Sequence, residues 1–149
     1  MEYHNSDKNF SHGLKIPSNV NTLEYHEGTV KDMKSMISVE TPNNYNRTFP
    51  SNLKKIIFGK YFGRKLNGCL KNLNNLEHVV FGDMFDQSID DELPDNIQSI
   101  HFGYKYNTKI TKKLPKSLKK ITFGGSYNQI IDEGILPNGI EIIIFGISY

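Results

Sequence analysis

Apolar residues recur along this chain in a fixed pattern that differs from the continuous periodicity of a helix. The pattern is an apolar triplet at positions i, i+3 and i+5 followed at once by glycine, and the five glycines are 23, 21, 21 and 22 residues apart. The triplets are Leu53, Ile56, Phe58; Leu76, Val79, Phe81; Ile97, Ile100, Phe102; Leu118, Ile121, Phe123; and Ile140, Ile143, Phe145. Self-similarity at such a period indicates a solenoid, in which each repeat forms one coil.

The segment after each glycine repeats as well. It carries an aromatic residue three positions after the glycine, as in Tyr106, and an apolar residue followed by proline near its end, as in Leu93-Pro94. The last two triplet residues are two apart and face one side of a strand, and we expect the glycine to allow a sharp turn there. The spacing predicts a β-rich solenoid with one short parallel strand per coil of 21 to 23 residues and irregular or 3₁₀ return segments.

A less regular copy of the repeat precedes the regular ones. Residues 16–26 align with the later coils through Leu23 and Tyr25. Residues 27–48 allow two interpretations, a helix over 29–37 or a strand over 37–41, and the alternating, β-branched sequence Ile-Ser-Val-Glu-Thr favours the strand. We therefore predict a single solenoid domain over 1–149, with a polar segment at 1–15, degenerate coils at 16–48 and regular repeats at 49–146.

Composition narrows the function classes. The 149 residues, 37% of them hydrophobic, are enough for one domain with a core, and a net charge of +2 does not indicate a nucleic-acid or membrane partner. The single cysteine, Cys69, excludes an internal disulfide and fits a reducing compartment. Because no apolar run resembles a signal peptide or a membrane span, we expect a cytoplasmic protein without membrane association.

A small polar residue follows the aromatic residue in most coils. Side chains of this kind satisfy backbone groups that a turn leaves unpaired. We predict that these residues stack into a structural ladder rather than a row of ligand-binding groups. The ladder residues are Asn46, Asp86, Asn107 and Asn128.

Strand positions between the triplet residues face away from the core, on the predicted concave side, which is the default binding surface of a solenoid. The predicted interaction surface comprises Lys55, Ile57, His78, Val80, Ser99, His101, Lys120 and Thr122. No carboxylate or thiol in these columns completes a catalytic triad or a metal shell around the histidines. We therefore expect contact residues for a protein partner, with no catalytic residue, no metal and no cofactor.

The acidic residues at positions 86–95 fall almost wholly in a return segment. They are interpreted as a solvated loop rather than as paired carboxylates for glycoside hydrolysis. The lysine pairs are balanced by acidic residues and lack interleaved aromatic residues on the same face, which disfavours nucleic-acid binding.

The C-terminal sequence GIEIIIFGISY makes the last strand apolar on both faces. An uncapped strand edge invites pairing. We predict that this edge, with Ile142, Ile144 and Tyr149, forms a homodimer across a two-fold axis or docks another partner. The alternative is a short hydrophobic edge covered by Ile147 and Tyr149.

The consensus (L/I)PxxIxxIxFGxx(F/Y)NxxI resembles the FNIP repeat, a motif related in shape to leucine-rich repeats and expanded in social amoebae and in giant viruses that infect them. The resemblance covers residues 49–146 clearly and 16–26 weakly. It implies a leucine-rich-repeat-like fold and a non-catalytic protein–protein interaction scaffold, such as a viral or amoebal adaptor in the cytoplasm, which is the host cytoplasm if the protein is viral.

Members of this family often carry an F-box ahead of the repeats, which implies an alternative role as the substrate receptor of a ubiquitin ligase. Repeat-like sequence begins by Ile16, so we expect no F-box in this chain. Nucleic-acid-binding and carbohydrate-active solenoids are the remaining alternatives.

Overall fold

The structure is a computed structural model that describes residues 2–5, 21–25 and 49–147. These residues form one sheet of seven parallel strands in chain order. The strands are β1 (Glu2–Asn5), β2 (Thr22–Tyr25), β3 (Lys55–Phe58), β4 (His78–Val80), β5 (Ser99–His101), β6 (Lys120–Phe123) and β7 (Ile142–Phe145). No helix occurs in the described ranges, so none there is long and apolar enough to cross a membrane. The predicted parallel β-solenoid is confirmed.

The register between strands matches equivalent positions of the repeat. Ile56 pairs with Val79, Val79 with Ile100, Ile100 with Ile121, and Ile121 with Ile143. From β3 to β7, an irregular segment of turns and bends, without a 3₁₀ helix, connects each strand to the next. Each coil therefore returns the chain to the same point, one strand further along.

The two N-terminal strands extend the sheet. In β2, Leu23 pairs with Ile56 and Tyr25 with Phe58, as their alignment with the later triplets predicts. A strand also forms at Glu2–Asn5, inside the segment predicted only to be polar, and it pairs with β2. The predicted strand over 37–41 lies outside the described residues, and in the sheet β2 is the direct neighbour of β3.

The core is a set of stacked columns. Triplet residues of the covered coils are 0 or 1% exposed, and two columns of aromatic rings run through them. Rings of the third triplet position lie 5.3 to 5.6 Å apart from coil to coil. Rings of the second column, formed by Phe62, Phe85, Tyr106 and Tyr127, lie 5.9 to 6.1 Å apart and 3.7 to 4.2 Å from the first-column ring of their own coil. The aromatic residue after the glycine thus closes the core, as predicted.

The glycine after each triplet serves a different purpose from the predicted one. Gly82, Gly103 and Gly124 do not have the positive φ that would favour glycine in a turn. A Cβ atom at any of the three would instead lie within 3 Å of the backbone of the preceding coil. Glycine is needed because consecutive coils approach closely there, not because the chain turns in an unusual conformation.

Candidate interaction surfaces

The parallel register places the predicted surface residues in two columns, which we call the outer sheet face. One column contains Lys55, His78, Ser99 and Lys120, and the other contains Ile57, Val80, His101 and Thr122. His101 and Lys120 are exposed, and the other six are partly buried. The sheet therefore brings all eight residues together on one surface, as the alternation of strand positions requires.

Two histidines on this face differ in their surroundings. The Nδ1 atom of His78 lies 2.8 Å from the Ser99 Oγ atom, and its Nε2 atom lies 3.9 Å from a carboxylate oxygen of Glu77. The sequence analysis did not identify Glu77, because this residue precedes β4 and lies outside the two columns. At 3.9 Å the carboxylate attracts a protonated imidazole but is too far away to orient the ring by a hydrogen bond, as a catalytic triad requires.

The surroundings of His101 change the pKa of its ring. Partial burial, together with the nearby Lys120 ammonium, lowers the pKa of His101 below its ordinary value, although Asp83 acts in the opposite direction. A histidine with a lowered pKa is neutral at neutral pH and offers one donor and one acceptor nitrogen. The exposed His101 ring is thus suited to hydrogen bonding with a partner.

Ion pairs flank the outer sheet face at its rims. Lysine ammonium and carboxylate groups of neighbouring coils lie 3.7 Å apart in Lys54–Glu77, 3.9 Å in Lys60–Asp83 and 3.0 Å in Lys119–Glu141. The three lysine side chains are exposed, so the pairs contribute little to stability. Lys120 forms no ion pair within the described ranges, so its charge can pair with a partner.

The residues of the predicted ladder form hydrogen bonds from coil to coil. The Asp86 Oδ1 atom accepts hydrogen bonds from the Asn107 backbone N–H (2.9 Å) and the Thr108 hydroxyl (2.8 Å). The Asn107 Oδ1 atom accepts the Asn128 backbone N–H in the same way, at 2.9 Å. Asn46 lies outside the described residues. These contacts satisfy the backbone groups next to the turn, which is a structural role.

A second set of inter-coil hydrogen bonds was missed by the sequence analysis. The residue just before the first triplet residue donates its side chain to a carbonyl of the preceding coil. The donor and acceptor pairs are Asn75 to Ser51, Asn96 to Asn74 and Ser117 to Asp95. The signal was present in the sequence, because four of the five regular coils carry Asn or Ser at that position, and only the fifth carries glycine, Gly139.

Three of the acidic residues at 86–95 accept hydrogen bonds from neighbouring coils, Asp86 in the ladder and Asp90 and Glu92 outside it. The Asp90 carboxylate accepts the Thr111 backbone N–H (3.1 Å) and hydroxyl (2.6 Å), and the Glu92 carboxylate accepts the Gly68 N–H (2.6 Å). No group of three metal-ligating side chains occurs in the part of the chain that the structure describes.

The last strand presents an apolar surface that we call the open edge, residues 142–147. Ile143 is 41% and Phe145 is 55% exposed, although both occupy core columns. Ile142 and Ile144, two residues of the predicted edge, are 46% and 42% exposed, and Ile147 is 72% exposed. Tyr149, the third, lies outside the described residues. Phe145 still stacks on Phe123 at 5.3 Å, so only its far side is uncovered.

The repeat now has a counterpart among known families. Residues 85–113 and 106–148 match the family model described as FNIP Repeat. Residues 85–148 consist of FNIP repeats. The strands β5, β6 and β7, with their ladders and aromatic columns, lie in the matched region, so the predicted resemblance is confirmed there.

A solved structure shares the fold of the FNIP repeats. It is the crystal structure of CroV588, described as a novel circular LRR protein structure, which is 32% identical with a TM-score of 0.70. The similarity covers 88% of this chain, and the chain spans only 18% of the length of that protein. A search of curated proteins finds no match. The solenoid of this chain is therefore leucine-rich-repeat-like.

Proposed function

We propose that this chain is a non-catalytic, protein–protein interaction scaffold that contacts its partner through the outer sheet face. One observation carries the proposal: the repeat holds its inward positions nearly constant while its outward positions vary. The second triplet position is Ile or Val in all five regular coils, whereas the column beside it reads Lys55, His78, Ser99, Lys120 and Ile142. Solenoids bind partners through such variable positions on a constant framework.

The side chains of this face suit a protein partner. Ile57 and Val80 offer partly buried apolar area, and His101 and Lys120 add a neutral hydrogen-bonding ring and a cation beside it. Interfaces between proteins combine an apolar centre with polar groups at the rim in this way. We further propose a cytoplasmic adaptor, since one cysteine among 149 residues fits a reducing compartment. A ubiquitin-ligase role rests on the family resemblance alone, since no described residue favours it.

Capture of partners with matched charge-reversal variants tests the proposal. The face variant Lys55→Glu/Lys120→Glu and the control Lys113→Glu/Lys116→Glu change the net charge equally, and the control residues lie in return segments. We expect the wild type and the control to capture the same proteins in stoichiometric amounts. The face variant should no longer capture them. Circular dichroism would show that both variants fold.

Two results would contradict the proposal. One is a set of captured proteins that is identical for wild type, face variant and control. The other is the absence of any protein above the level retained by empty beads, across lysates of amoebal and virus-infected amoebal cells.

A further inference from the structure

The backbone of β7 leaves a defined set of hydrogen-bonding groups at the open edge. The Ile142 N–H donates to the Lys119 carbonyl (3.0 Å) and the Gly146 N–H donates to the Phe123 carbonyl (2.8 Å), so both point toward β6. Successive residues of a strand direct their N–H and C=O groups to opposite sides. Ile143 and Phe145 therefore direct two donors and two acceptors at the open side, where the structure describes no strand.

The side chains of this edge lack the usual protection against pairing. Natural edge strands carry lysine, proline, bulges or an inward-pointing charge. Residues 142–147 read IIIFGI, without a charge or a proline, and the strand runs regularly from Ile142 to Phe145. The open groups and the exposed apolar side chains thus lie on one strand that another strand can pair with.

A second copy of the same strand fits these groups in one register. In an antiparallel pair with its two-fold axis through Ile144, Ile143 faces Phe145 of the second copy and Ile144 faces its own equivalent. Both members of each Ile143–Phe145 pair direct their N–H and C=O groups at the open side, so two such pairs form four hydrogen bonds. The same pairing covers Ile143 and Phe145 on the core side of both sheets.

The other end of the solenoid fits less well. Continuing the sheet head to tail would place β1 of another copy beside β7 with the register that all strands share. Asn5, which pairs with Tyr25 and so aligns with Phe58, would then face Phe145. The register would thus set a polar residue type opposite an apolar one, whereas the two-fold arrangement sets apolar residues opposite apolar residues.

We propose that this chain forms a two-fold dimer by antiparallel pairing of β7 with β7 of a second copy, centred on Ile144. The dimer joins two solenoid cores and leaves the outer sheet face of both copies open over β3 to β6. It does not depend on the scaffold proposal, because it concerns a different surface.

A charge-swap experiment at Ile144 tests the axis itself. Ile144→Lys and Ile144→Glu each place like charges opposite one another across the axis, which destabilises pairing. Sedimentation velocity between about 1 and 100 μM follows the concentration dependence. We expect wild type to reach twice the mass of one chain, each variant to remain at the mass of one chain, and an equal mixture of the two variants to form a dimer again.

The control is His101→Lys, which places the same charge in the same column on β5, two strands away from β7. It should dimerise like wild type. Thermal unfolding followed by circular dichroism at about 1 μM should show that the Ile144 variants fold, since Ile144 is already 42% exposed in the single chain.

Amide hydrogen exchange gives an independent readout. The N–H groups of Ile143 and Phe145 should become protected as wild-type concentration rises, while that of Ile142, already bonded to β6, should not change. A single-chain mass for wild type at 100 μM, open-ended assemblies, dimers of both Ile144 variants, or failure of the mixture to pair would each overturn the proposal.

Discussion

The coils of β6 and β7 have nearly the same sequence pattern and very different surroundings. Ile121 and Phe123 of β6 are 0% and 1% exposed, whereas Ile143 and Phe145, at the same positions in β7, are 41% and 55% exposed. The compared core residues are of the same type and pair with one another in the sheet, Ile121 with Ile143 and Phe123 with Phe145. The difference shows that in a solenoid the neighbour on each side, rather than the coil itself, completes the burial of an apolar residue.

This comparison has an energetic consequence. Fully burying an isoleucine or phenylalanine side chain contributes about 1.5 to 3 kcal/mol, so a coil with one neighbour gains only part of what a coil with two neighbours gains. The stability of the array is then a sum of coil and interface contributions, and the last coil contributes least. Four sets of substitutions break or sharpen the comparison.

Truncation of the first aromatic column should give the largest effect. Phe123→Ala removes a ring that lies between Phe102 and Phe145, and it should lower the free energy of unfolding by about 3 to 5 kcal/mol. Phe145→Ala should cost less than half as much, because its far side is already exposed. Urea denaturation in the Ile144→Lys background, which removes any contribution from a dimer, measures both. Equal costs would show that the neighbour on the far side does not matter.

The close approach of coils at the glycines should give the next largest effect. Gly103→Ala places a Cβ atom within 3 Å of the Gly82 backbone, so the coils must separate at a cost of about 3 kcal/mol. Gly146→Ala meets backbone atoms at a similar distance, but the last coil can move away, and we expect a smaller loss. Gly139→Ala is the control, since its nearest atom is 3.6 Å away in a flexible lysine side chain. Thermal unfolding should rank the three, and a loss at Gly139 equal to that at Gly103 would contradict the explanation.

The Asn ladder should show the same asymmetry on a smaller scale. The Asn107 Oδ1 atom accepts bonds from the Asn128 N–H (2.9 Å) and the Gln129 amide (3.2 Å), both in the next coil. The Asn128 Oδ1 atom accepts a bond from the adjacent Gln129 (3.0 Å). Asn107→Ala should therefore cost about 1 kcal/mol and Asn128→Ala a few tenths. Faster exchange of the Asn128 amide in Asn107→Ala would identify the lost bond, and unchanged exchange would argue against the ladder.

The last effect should have the opposite sign. The Tyr106 hydroxyl is buried without a hydrogen-bond partner in the described ranges, and burial raises its pKa. Phe85 fills the same position in the preceding coil, so Tyr106→Phe should stabilise the fold by about 1 kcal/mol. Tyr104→Phe, with a 51% exposed side chain, should change nothing. A destabilised Tyr106→Phe would show that the hydroxyl has a partner, such as a buried water.

Much of the fold was predictable because the same pattern of apolar residues and glycine occurs in five coils. The triplets predict strands β3 to β7, their parallel register and the residues of the core, since each apolar offset is reinforced by its equivalents in other coils. The outer sheet face followed from the alternation of strand positions. That this face binds a partner stays a prediction.

Other features could not be predicted from single positions. The strand Glu2–Asn5 has one apolar side chain among four residues, and its pairing with β2 rather than its own pattern makes it a strand. Glu77 precedes β4 in the sequence, and only the local path of the chain brings its carboxylate within 3.9 Å of the His78 Nε2 atom. The donors Asn75, Asn96 and Ser117 looked like ordinary turn residues, because a side-chain bond to another coil exists only once the coils stack.

The sequence alone determined that the chain is a solenoid, how long each coil is and which residues face inward. These properties are local and repeated, so spacing and side-chain chemistry are sufficient. Only the tertiary structure decided why the glycine is required and which side chains bond from coil to coil. It also revealed that the backbone N–H and C=O groups of Ile143 and Phe145 in β7 point away from β6 and have no strand beside them in the described residues. Each of these depends on the distance and orientation between two coils, which no single coil specifies.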